Sequence, residues 1–231
     1  MTGPLAGQLA VVTGASRGIG LAVAGQLRAG GARVVRLARG LPDDEAGATL
    51  ACDVTDPASV ARAAGRVLER HGAPDVLVNA AGSFLLKPLV ETTPQEFAAQ
   101  LATNLAGPFA VLRAFLGAMI ARGRGLVVTI GSIADHTAYP GNGAYAASKH
   151  GLRGLHGVLR AELARSGVRA ALISPGPVDT ALWDDVDPDR RPGFTPRREM
   201  LRADDVAEAV LWVATRPAHV VVPELHIEPG R

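Results

Sequence analysis

The sequence predicts an α/β fold built around one doubly wound parallel sheet with helices on both of its faces. Short apolar runs recur along the chain, and segments with helical periodicity separate them. This alternation is typical of parallel strands joined by crossover helices. Residues 9–12, Leu-Ala-Val-Val, form the first apolar run and lead directly into a turn rich in glycine, as expected for a buried first strand.

The length and composition of the chain fit one domain over residues 1–231. The chain is 48% hydrophobic and 20% charged, so it can bury a substantial core. Its formal net charge is +2 and the basic residues are scattered among acidic ones, so we expect no nucleic-acid and no membrane partner. Cys52 is the single cysteine, so we expect no disulfide and no metal site. A cytoplasmic location without a targeting or membrane-spanning segment is expected.

Residues 13–20 form a glycine-rich loop with the sequence Thr-Gly-Ala-Ser-Arg-Gly-Ile-Gly. Gly14, Gly18 and Gly20 permit a tight turn and a close approach of the backbone to a phosphate. Residues 21–29 form the helix that follows, and the N-terminus of a helix favours an anion. Strand, loop and helix together indicate a Rossmann-type site for a dinucleotide, although the glycine spacing is one residue longer than the common fingerprint.

The second strand, residues 33–37, is followed by Arg39 rather than by a carboxylate. An acidic residue at this place normally binds the ribose of NAD(H), whereas arginine suits the 2′-phosphate of NADP(H). Arg17 and Arg39 could clamp that phosphate together, so NADP(H) is favoured over NAD(H). In the alternative interpretation both arginines are merely solvated, and the ribose is bound by a carboxylate of the next segment, Asp43, Asp44 or Glu45.

The third strand is predicted over residues 50–52. The connection that precedes it, residues 40–49, is broken by proline and glycine and is too short for a full crossover helix. Asp53 leaves this strand in a position to meet an adenine amino group. Asp56 stands before a proline and is expected to cap a helix over residues 57–70.

The fourth strand, residues 75–78, runs into the small residues 79–82, which leave room for a ribose or a nicotinamide ring. One or two consecutive helices are predicted over residues 94–119. Asn104 is a polar residue in the apolar part of that segment, so either its amide is satisfied within the core or it holds a structural water.

Residues 126–130 form the fifth strand, and Ser132 follows at its carboxyl end, where open α/β sheets place their ligands. The next helix, residues 144–165, carries Tyr145 and Lys149 four positions apart, so both project from one face. A nearby ammonium lowers the pKa of a phenol, which makes Tyr145 a plausible acid and base near neutral pH. Ser132, Tyr145 and Lys149 could converge on one carbonyl or alcohol.

The last third of the chain predicts a sixth strand over residues 168–173 and a rigid turn over 174–180 that could contact a nicotinamide amide. Residues 181–199 are rich in Asp, Pro and Arg, which is typical of a mobile lid over a substrate pocket. A final helix is predicted over residues 204–215. The apolar runs at 220–222 and 225–227 are expected to complete the sheet.

Taken together, these motifs resemble the short-chain dehydrogenase/reductase family over essentially the whole chain. The resemblance is carried, in family order and spacing, by Thr13, Gly14, Gly18, Ile19, Gly20, Asp53, Asn79, Ala80, Ala81, Gly82, Asn104, Ser132, Tyr145, Lys149, Pro175 and Gly176. Two departures are Ala80, where many members carry a second asparagine, and the short connection over residues 40–49.

The resemblance implies roles for individual residues. Tyr145 would be the acid and base, Lys149 would lower its pKa and bind the nicotinamide ribose, and Ser132 would orient the substrate oxygen. Asn104 would anchor a water in a proton relay to Lys149, and Thr180 would contact the carboxamide. The implied cofactor-binding residues are Gly14, Ser16, Arg17, Gly18, Ile19, Gly20, Arg39, Asp53, Val54, Asn79, Ala81, Gly82, Tyr145, Lys149, Pro175, Gly176, Val178 and Thr180.

The implied function is an NADP(H)-dependent oxidoreductase that transfers a hydride between nicotinamide and a carbonyl or secondary alcohol. Residues 220–230 resemble members that act on hydroxy acids and similar small polar alcohols, and the similarity to 3-oxoacyl carrier-protein reductases is nearly as good. A non-catalytic nucleotide sensor or scaffold is the alternative from another class. A homodimer or homotetramer is expected by analogy.

Side chains near the substrate are expected at Phe84, Ala134, Tyr139 and Trp183. Trp183 and Phe194 are interpreted as walls of the substrate pocket, with anchoring of the lid as the alternative. The histidines His136, His150, His156 and His226 belong to no catalytic triad and no metal spacing, so they are expected at the surface or at the rim of the site.

Overall fold

The computed structural model describes residues 2–44 and 47–230 and contains one seven-stranded sheet in which every pairing is parallel. Its strand order is β3-β2-β1-β4-β5-β6-β9, and β7 pairs with β8 in a separate short ladder. This confirms the predicted doubly wound sheet. The strands are β1 (Leu9–Thr13), β2 (Arg33–Ala38), β3 (Thr49–Ala51), β4 (Val76–Asn79), β5 (Gly125–Ile130), β6 (Val168–Pro175), β7 (Val178–Asp179), β8 (Leu201–Arg202) and β9 (Glu224–Ile227).

Helices cover both faces of the sheet and bury two separate hydrophobic cores. On one face, α1 and α6 pack against the strands through side chains such as Val23, Leu27 and Val210. On the other face, α2, α4 and α5 contribute side chains such as Val67 and Phe115. The helices are α1 (Gly18–Ala29), α2 (Pro57–His71), α3 (Pro94–Leu101), α4 (Gly107–Arg122), α5 (Gly143–Glu162) and α6 (Ala203–Ala214).

The local signals in the sequence explain most of these boundaries. Asp56 caps α2 as predicted, because its carboxylate accepts a hydrogen bond from the backbone N–H of Ala58 at 2.9 Å. The segment that precedes β3 forms no helix in its described part, residues 40–44 and 47–48, as predicted. The prediction of a strand at residues 220–222 is wrong: only Glu224–Ile227 pairs with β6.

The long segment after β4 is one continuous helical rod, because a π-helical turn, Ala102–Ala106, joins α3 to α4. By length and composition alone, residues Pro94–Arg122 could cross a membrane, with a mean hydropathy of 1.5. The same rod contributes Val111, Leu112 and Phe115 to the core beneath the sheet, which is a common position for an apolar helix.

The predicted lid, residues 181–199, contains three short 3₁₀ turns rather than a full helix. Arg197 is the main anchor of this segment. Its guanidinium pairs with Asp179 at 2.7 Å and with Asp184 at 2.6 Å, and its backbone N–H donates to Asp189 at 2.8 Å. The segment is thus held to β7 by charge-assisted bonds, and its mobility stays a prediction.

His156 lies inside the protein, so its predicted place at the surface is wrong. It projects from α5 with 3% of its surface exposed, and among the described residues the Pro223 carbonyl lies near its ring but forms no well-aligned hydrogen bond with it. Burial lowers the pKa of His156 to about 4, and the charge of Arg160 adds to this effect against the opposing carboxylates of Glu224 and Asp135.

We therefore expect His156 to weaken the fold in acid. An unfolded histidine titrates near pH 6.5, so between about pH 6.5 and 4 the unfolded chain binds a proton that the folded chain does not. The free energy of unfolding should fall by about 3 kcal/mol across this range on account of His156 alone. Urea unfolding of the parent and of His156→Leu at several pH values measures this term. Two parallel stability curves would contradict it.

Candidate active site

A cavity of about 970 Å³ opens along the carboxyl ends of the central strands, where the strand order reverses between β1 and β4. Its volume is at the upper end for ligand pockets, so it can hold a dinucleotide together with a small substrate. All of the predicted cofactor, catalytic and substrate residues line it except Asn79 and Asn104, which are buried beneath it.

The glycine loop forms one end of the cavity and is held tightly to the neighbouring strand. Gly14 has a φ of +67°, and a Cβ at this position would lie 2.6 Å from the Cα of Ala81, so no side chain fits there. The hydroxyl of Thr13 accepts hydrogen bonds from the backbone N–H groups of Ala80 and Ala81 at 3.1 and 3.3 Å. These contacts therefore fix the position of the glycine loop relative to the residues that follow β4.

The start of α1 offers free donors to an anion. Arg17 occupies the position before the helix but makes no capping bond with its side chain, and the first turn carries no acidic residue. The N–H groups of that turn are therefore available to a phosphate. Arg36 adds a brace that the sequence analysis missed, since its Nε donates to the carbonyl of Ala15 at 3.0 Å. A charged residue within the apolar run of β2 was the signal that could have revealed it.

Arg17 and Arg39 are both exposed and both line the cavity, as an anion clamp requires. The carboxylates of the alternative interpretation are used elsewhere. Asp43 forms an ion pair with Arg66 and accepts a hydrogen bond from the N–H of Ala51, while Asp44 accepts one from the N–H of Ala48 at 2.6 Å. Glu45 lies outside the described residues.

Of two further predicted cofactor residues, Asp53 lines the cavity and Asn79 does not. Asp53 lines the cavity, and one of its oxygens accepts hydrogen bonds from the N–H and the hydroxyl of Thr55 at 2.9 and 2.7 Å. Although burial opposes it, these bonds and the charge of Arg39 lower the pKa of Asp53, so it is a carboxylate at neutral pH. Asn79 does not reach the cavity: it is 3% exposed, and its amide has no partner among the described residues.

The structure brings Ser132, Tyr145 and Lys149 together at the other end of the cavity. Lys149 is buried, and its ammonium donates to the carbonyl of Ile130, the last residue of β5, at 3.0 Å. The same ammonium lies 5.7 Å from the centre of the Tyr145 ring. Ser132 lies two residues beyond Ile130 and lines the same cavity, and its side chain lowers the pKa of the phenol by hydrogen bonding. The convergence predicted from the spacing is therefore observed.

The expected pKa of Tyr145 is corrected by the structure. Burial raises the pKa of this phenol to about 12, despite the hydrogen bond with Ser132, and the carboxylate of Asp135 raises it further. Burial also lowers the pKa of Lys149 to about 8, against the attraction of Asp135. For the pKa of Tyr145, the cost of burying a charged phenolate is larger than the stabilisation by the Lys149 ammonium that the helical spacing suggested. At neutral pH the phenol is therefore protonated.

Asn104 sits in the π-helical turn and is completely buried. Its Oδ1 accepts a hydrogen bond from the N–H of Ser83 at 2.9 Å, and its Nδ2 lies within reach of the Ser83 carbonyl, Gln100 and Ser148. Ser148 in turn donates to the carbonyl of Tyr145 at 2.6 Å. The amide is satisfied by protein groups, as in the first alternative, and the water relay to Lys149 stays a prediction.

Asp135 is a buried carboxylate beside the catalytic groups that the sequence analysis missed. It is 1% exposed and accepts hydrogen bonds from Ser174 at 2.5 Å, His136 at 2.8 Å and the N–H of Ser132 at 3.3 Å. Arg153 bridges it to Glu224 of β9 through contacts of 3.3 and 2.7 Å. The Ser-x-x-Asp spacing of a capping box was visible in the sequence and could have identified it.

The substrate end of the cavity is lined by the expected residues Phe84, Ala134, Tyr139 and Trp183 and by Phe194 from the lid. Phe84 packs edge-on against Tyr145, with 5.0 Å between the ring centres. Trp183 contacts both Phe84 and Phe194, so anchoring of the lid and shaping of the pocket are done by the same side chain. The remaining histidines are exposed, as predicted: His150 bonds to a backbone carbonyl, and His136 and His226 contact each other edge-on at 4.7 Å.

Comparison with known proteins agrees with this geometry. A model described as short chain dehydrogenase matches residues 8–191. The chain is 33% identical to the 3-oxoacyl-acyl-carrier-protein reductase FabG of Escherichia coli, over 97% of each chain. It is 36% identical to a metagenomic short-chain oxidoreductase solved in complex with NADP, with a TM-score of 0.81 and 99% of each chain covered.

A third similar protein is an alcohol dehydrogenase from the archaeon Thermococcus sibiricus, solved with 5-hydroxy-NADP. It is 32% identical, covers 95% of each chain and has a TM-score of 0.82. These matches confirm the resemblance drawn from the motifs. The chain belongs to the short-chain dehydrogenase family and is an oxidoreductase.

Proposed function

We propose that this protein is an NADP(H)-dependent oxidoreductase that interconverts a carbonyl and a secondary alcohol. The observation that carries the proposal is the convergence of Ser132, Tyr145 and Lys149 on the cavity at the end of β5, opposite the glycine loop. A phenol, a hydroxyl and an ammonium can hold one substrate oxygen and give it a proton.

Different residues would bind the cofactor, donate the proton and orient the substrate oxygen. When bound, the nicotinamide supplies the hydride chemistry, and the glycine loop, Arg17 and Arg39 are the groups that would hold its dinucleotide. Tyr145 is protonated at neutral pH and donates its proton to the carbonyl oxygen during reduction. Ser132 orients that oxygen, and the charge of Lys149 stabilises the phenolate that remains.

The preference for NADP(H) is supported by Arg17 and Arg39, two exposed arginines that line the cavity, and by the engagement of Asp43 and Asp44 in local contacts. Two of the similar solved proteins contain NADP or a derivative of it. A carboxylate facing the ribose would instead have favoured NAD(H).

A 3-oxoacyl carrier-protein reductase is the second candidate, because the similarity to FabG extends over 97% of each chain. A small hydroxy acid is the substrate class favoured by the C-terminal residues. A non-catalytic nucleotide sensor is the least supported alternative, since Ser132, Tyr145 and Lys149 come together at the cavity. A panel of ketones, 3-oxoacyl thioesters and 2-oxo acids, followed by the loss of NADPH absorbance, separates these functions. Binding of NADPH without oxidation by any member would favour the sensor.

We also propose that the protein assembles as a homodimer or homotetramer through the outer surfaces of α4 and α5. Phe109 and Ile120 on α4 and Val158 on α5 are 52%, 43% and 56% exposed, which favours burial against another copy. Light scattering should give a mass above that of one chain, and Phe109→Asp should lower it. A monomeric parent protein would reject this assembly.

Replacement of Tyr145 tests the mechanism. We expect Tyr145→Phe to lower kcat by at least about 100-fold, because the proton donor is lost while the ring that packs on Phe84 remains. NADPH should bind the variant nearly as well as the parent protein in a fluorescence titration, which controls for folding. Full activity without the hydroxyl would reject the assigned role.

Replacement of Arg39 tests the choice of cofactor. Arg39→Ala should weaken NADPH binding about 10- to 100-fold and leave NADH binding nearly unchanged, since only NADPH carries the 2′-phosphate. Arg33→Ala is a matched control, because Arg33 is an exposed arginine at the opposite end of the same strand. Calorimetric titration with both cofactors measures the effect. Equal affinity of the parent protein for NADPH and NADH would contradict the clamp.

A further inference from the structure

We propose that the preferred substrate is an uncharged ketone that carries an aromatic or flat apolar group on its carbonyl carbon. This inference rests on the proposed function and narrows it to one substrate class. The group would lie against the aromatic wall, which we define as Phe84, Trp183 and Phe194.

The aromatic residues of this chain are concentrated at the substrate end of the cavity. The whole sequence contains five Phe, two Trp and two Tyr, or 4% of its residues. More than half of these nine side chains line the one cavity: Phe84, Tyr139, Tyr145, Trp183 and Phe194. A chain that uses so few aromatic residues in its core has placed most of them where a substrate would lie.

The rings form a continuous surface that starts at the catalytic phenol. Tyr145 contacts Phe84 edge-on at 5.0 Å, Phe84 contacts Trp183 at 5.0 Å with a tilt of 51°, and Trp183 contacts Phe194 at 6.3 Å. A ketone whose oxygen is bound by Tyr145 would therefore extend its substituent along ring faces and edges. These surfaces favour an aromatic partner by stacking and by edge-on contact.

The charges in the cavity disfavour a substrate carboxylate. Among the described lining residues, the guanidinium groups are Arg17 after β1 and Arg39 after β2. β1 and β2 lie two and three strand positions from β5, or about 10 and 14 Å from the end that carries Ser132. Glu199 and Glu228 line the cavity as well and would repel an anion.

Lys149 is not available as a cationic partner for a substrate carboxylate. Its ammonium is buried, is bonded to the carbonyl of Ile130 and lies 5.7 Å from the centre of the Tyr145 ring, so it is engaged at the phenol and not along the aromatic wall. A carboxylate next to the carbonyl would therefore lose its water without gaining an ion pair, which is costly. A hydroxy acid is the poorer substrate on this ground.

Contacts within and next to the predicted lid support the position of Trp183 in the aromatic wall. Trp183 ends a 3₁₀ turn, Ala181–Trp183, that is capped by Thr180. Arg197 ties this region together through its ion pairs with Asp179 and Asp184 and a bond to the carbonyl of Thr180. Because these contacts already restrain the segment that carries Trp183, this side chain loses little conformational freedom when it binds a rigid ring.

The reaction balances as an ordinary ketone reduction. The ketone carbon takes a hydride from NADPH and the ketone oxygen takes the phenolic proton of Tyr145. The ketone is reduced to a secondary alcohol, NADPH is oxidised to NADP⁺, and Tyr145 regains a proton from solvent.

Three ketones test the substrate class with the intact protein and NADPH. Acetophenone carries a ring, 2-butanone replaces the ring with a small alkyl group, and phenylglyoxylate keeps the ring and adds a carboxylate. We expect kcat/KM for acetophenone to exceed that for each of the other two by at least about tenfold. Equal or faster reduction of phenylglyoxylate or 2-butanone would overturn the inference.

Two tryptophan variants locate the effect. Trp183→Ala should lower kcat/KM for acetophenone about 10- to 100-fold and change that for 2-butanone by less than about threefold. Trp212→Ala is the matched control, because Trp212 is the other tryptophan and lies 47% exposed on α6, away from the cavity. An equal loss for both ketones in Trp183→Ala would show that Trp183 supports only the fold of the site.

A binding measurement separates failure of this inference from failure of the proposed function. In Trp212→Phe, Trp183 is the single tryptophan, so acetophenone should quench its fluorescence and phenylglyoxylate should not; the double variant with Trp183→Phe gives the background. If no ketone consumes NADPH but acetophenone still quenches Trp183, the proposed function fails and the aromatic site stands. Absence of quenching by acetophenone overturns the aromatic site.

Discussion

The hydrogen bond from the Lys149 ammonium to the carbonyl of Ile130 is the contact on which the site depends. It joins the helix that carries Tyr145 to the end of the strand that precedes Ser132, and it is buried. A buried ammonium is stable only where its donors are satisfied, so the position of α5 along β5 is restricted. The side chains of Tyr145, Ser132 and Lys149 are therefore held in fixed positions relative to one another, and all three line the cavity.

A second restraint acts at the opposite end of the cavity. The contact between Gly14 and Ala81 leaves no space for a side chain, and the Thr13 hydroxyl ties the loop to the start of the segment after β4. Both restraints depend on a parallel sheet, because only then do the carboxyl ends of β1, β4 and β5 lie side by side. The fold thus brings the glycine loop and the Tyr145 phenol to the same edge of the sheet.

The sequence was sufficient for features that depend on neighbouring residues. Apolar runs, the glycine loop, the Asp56 cap and the helical spacing of Tyr145 and Lys149 are local patterns, and the structure shows each of them. It was not sufficient where burial or distant contacts decide. The pKa of Tyr145 rises because the ring is enclosed, the apolar run at 220–222 remains outside the sheet, and His156 faces the interior. The partners of Asp135 come from three separate segments, which hold Ser132, Arg153 and Ser174, and no spacing rule brings these together.

The contacts from Asp135 through Arg153 to Glu224 connect the surroundings of Ser132 to the last strand of the sheet. Glu224 belongs to the last strand of the sheet, yet only two side chains, those of Arg153 and Asp135, separate it from the backbone N–H of Ser132. A displacement of β9 would therefore move Arg153 and, through Asp135, the backbone of Ser132.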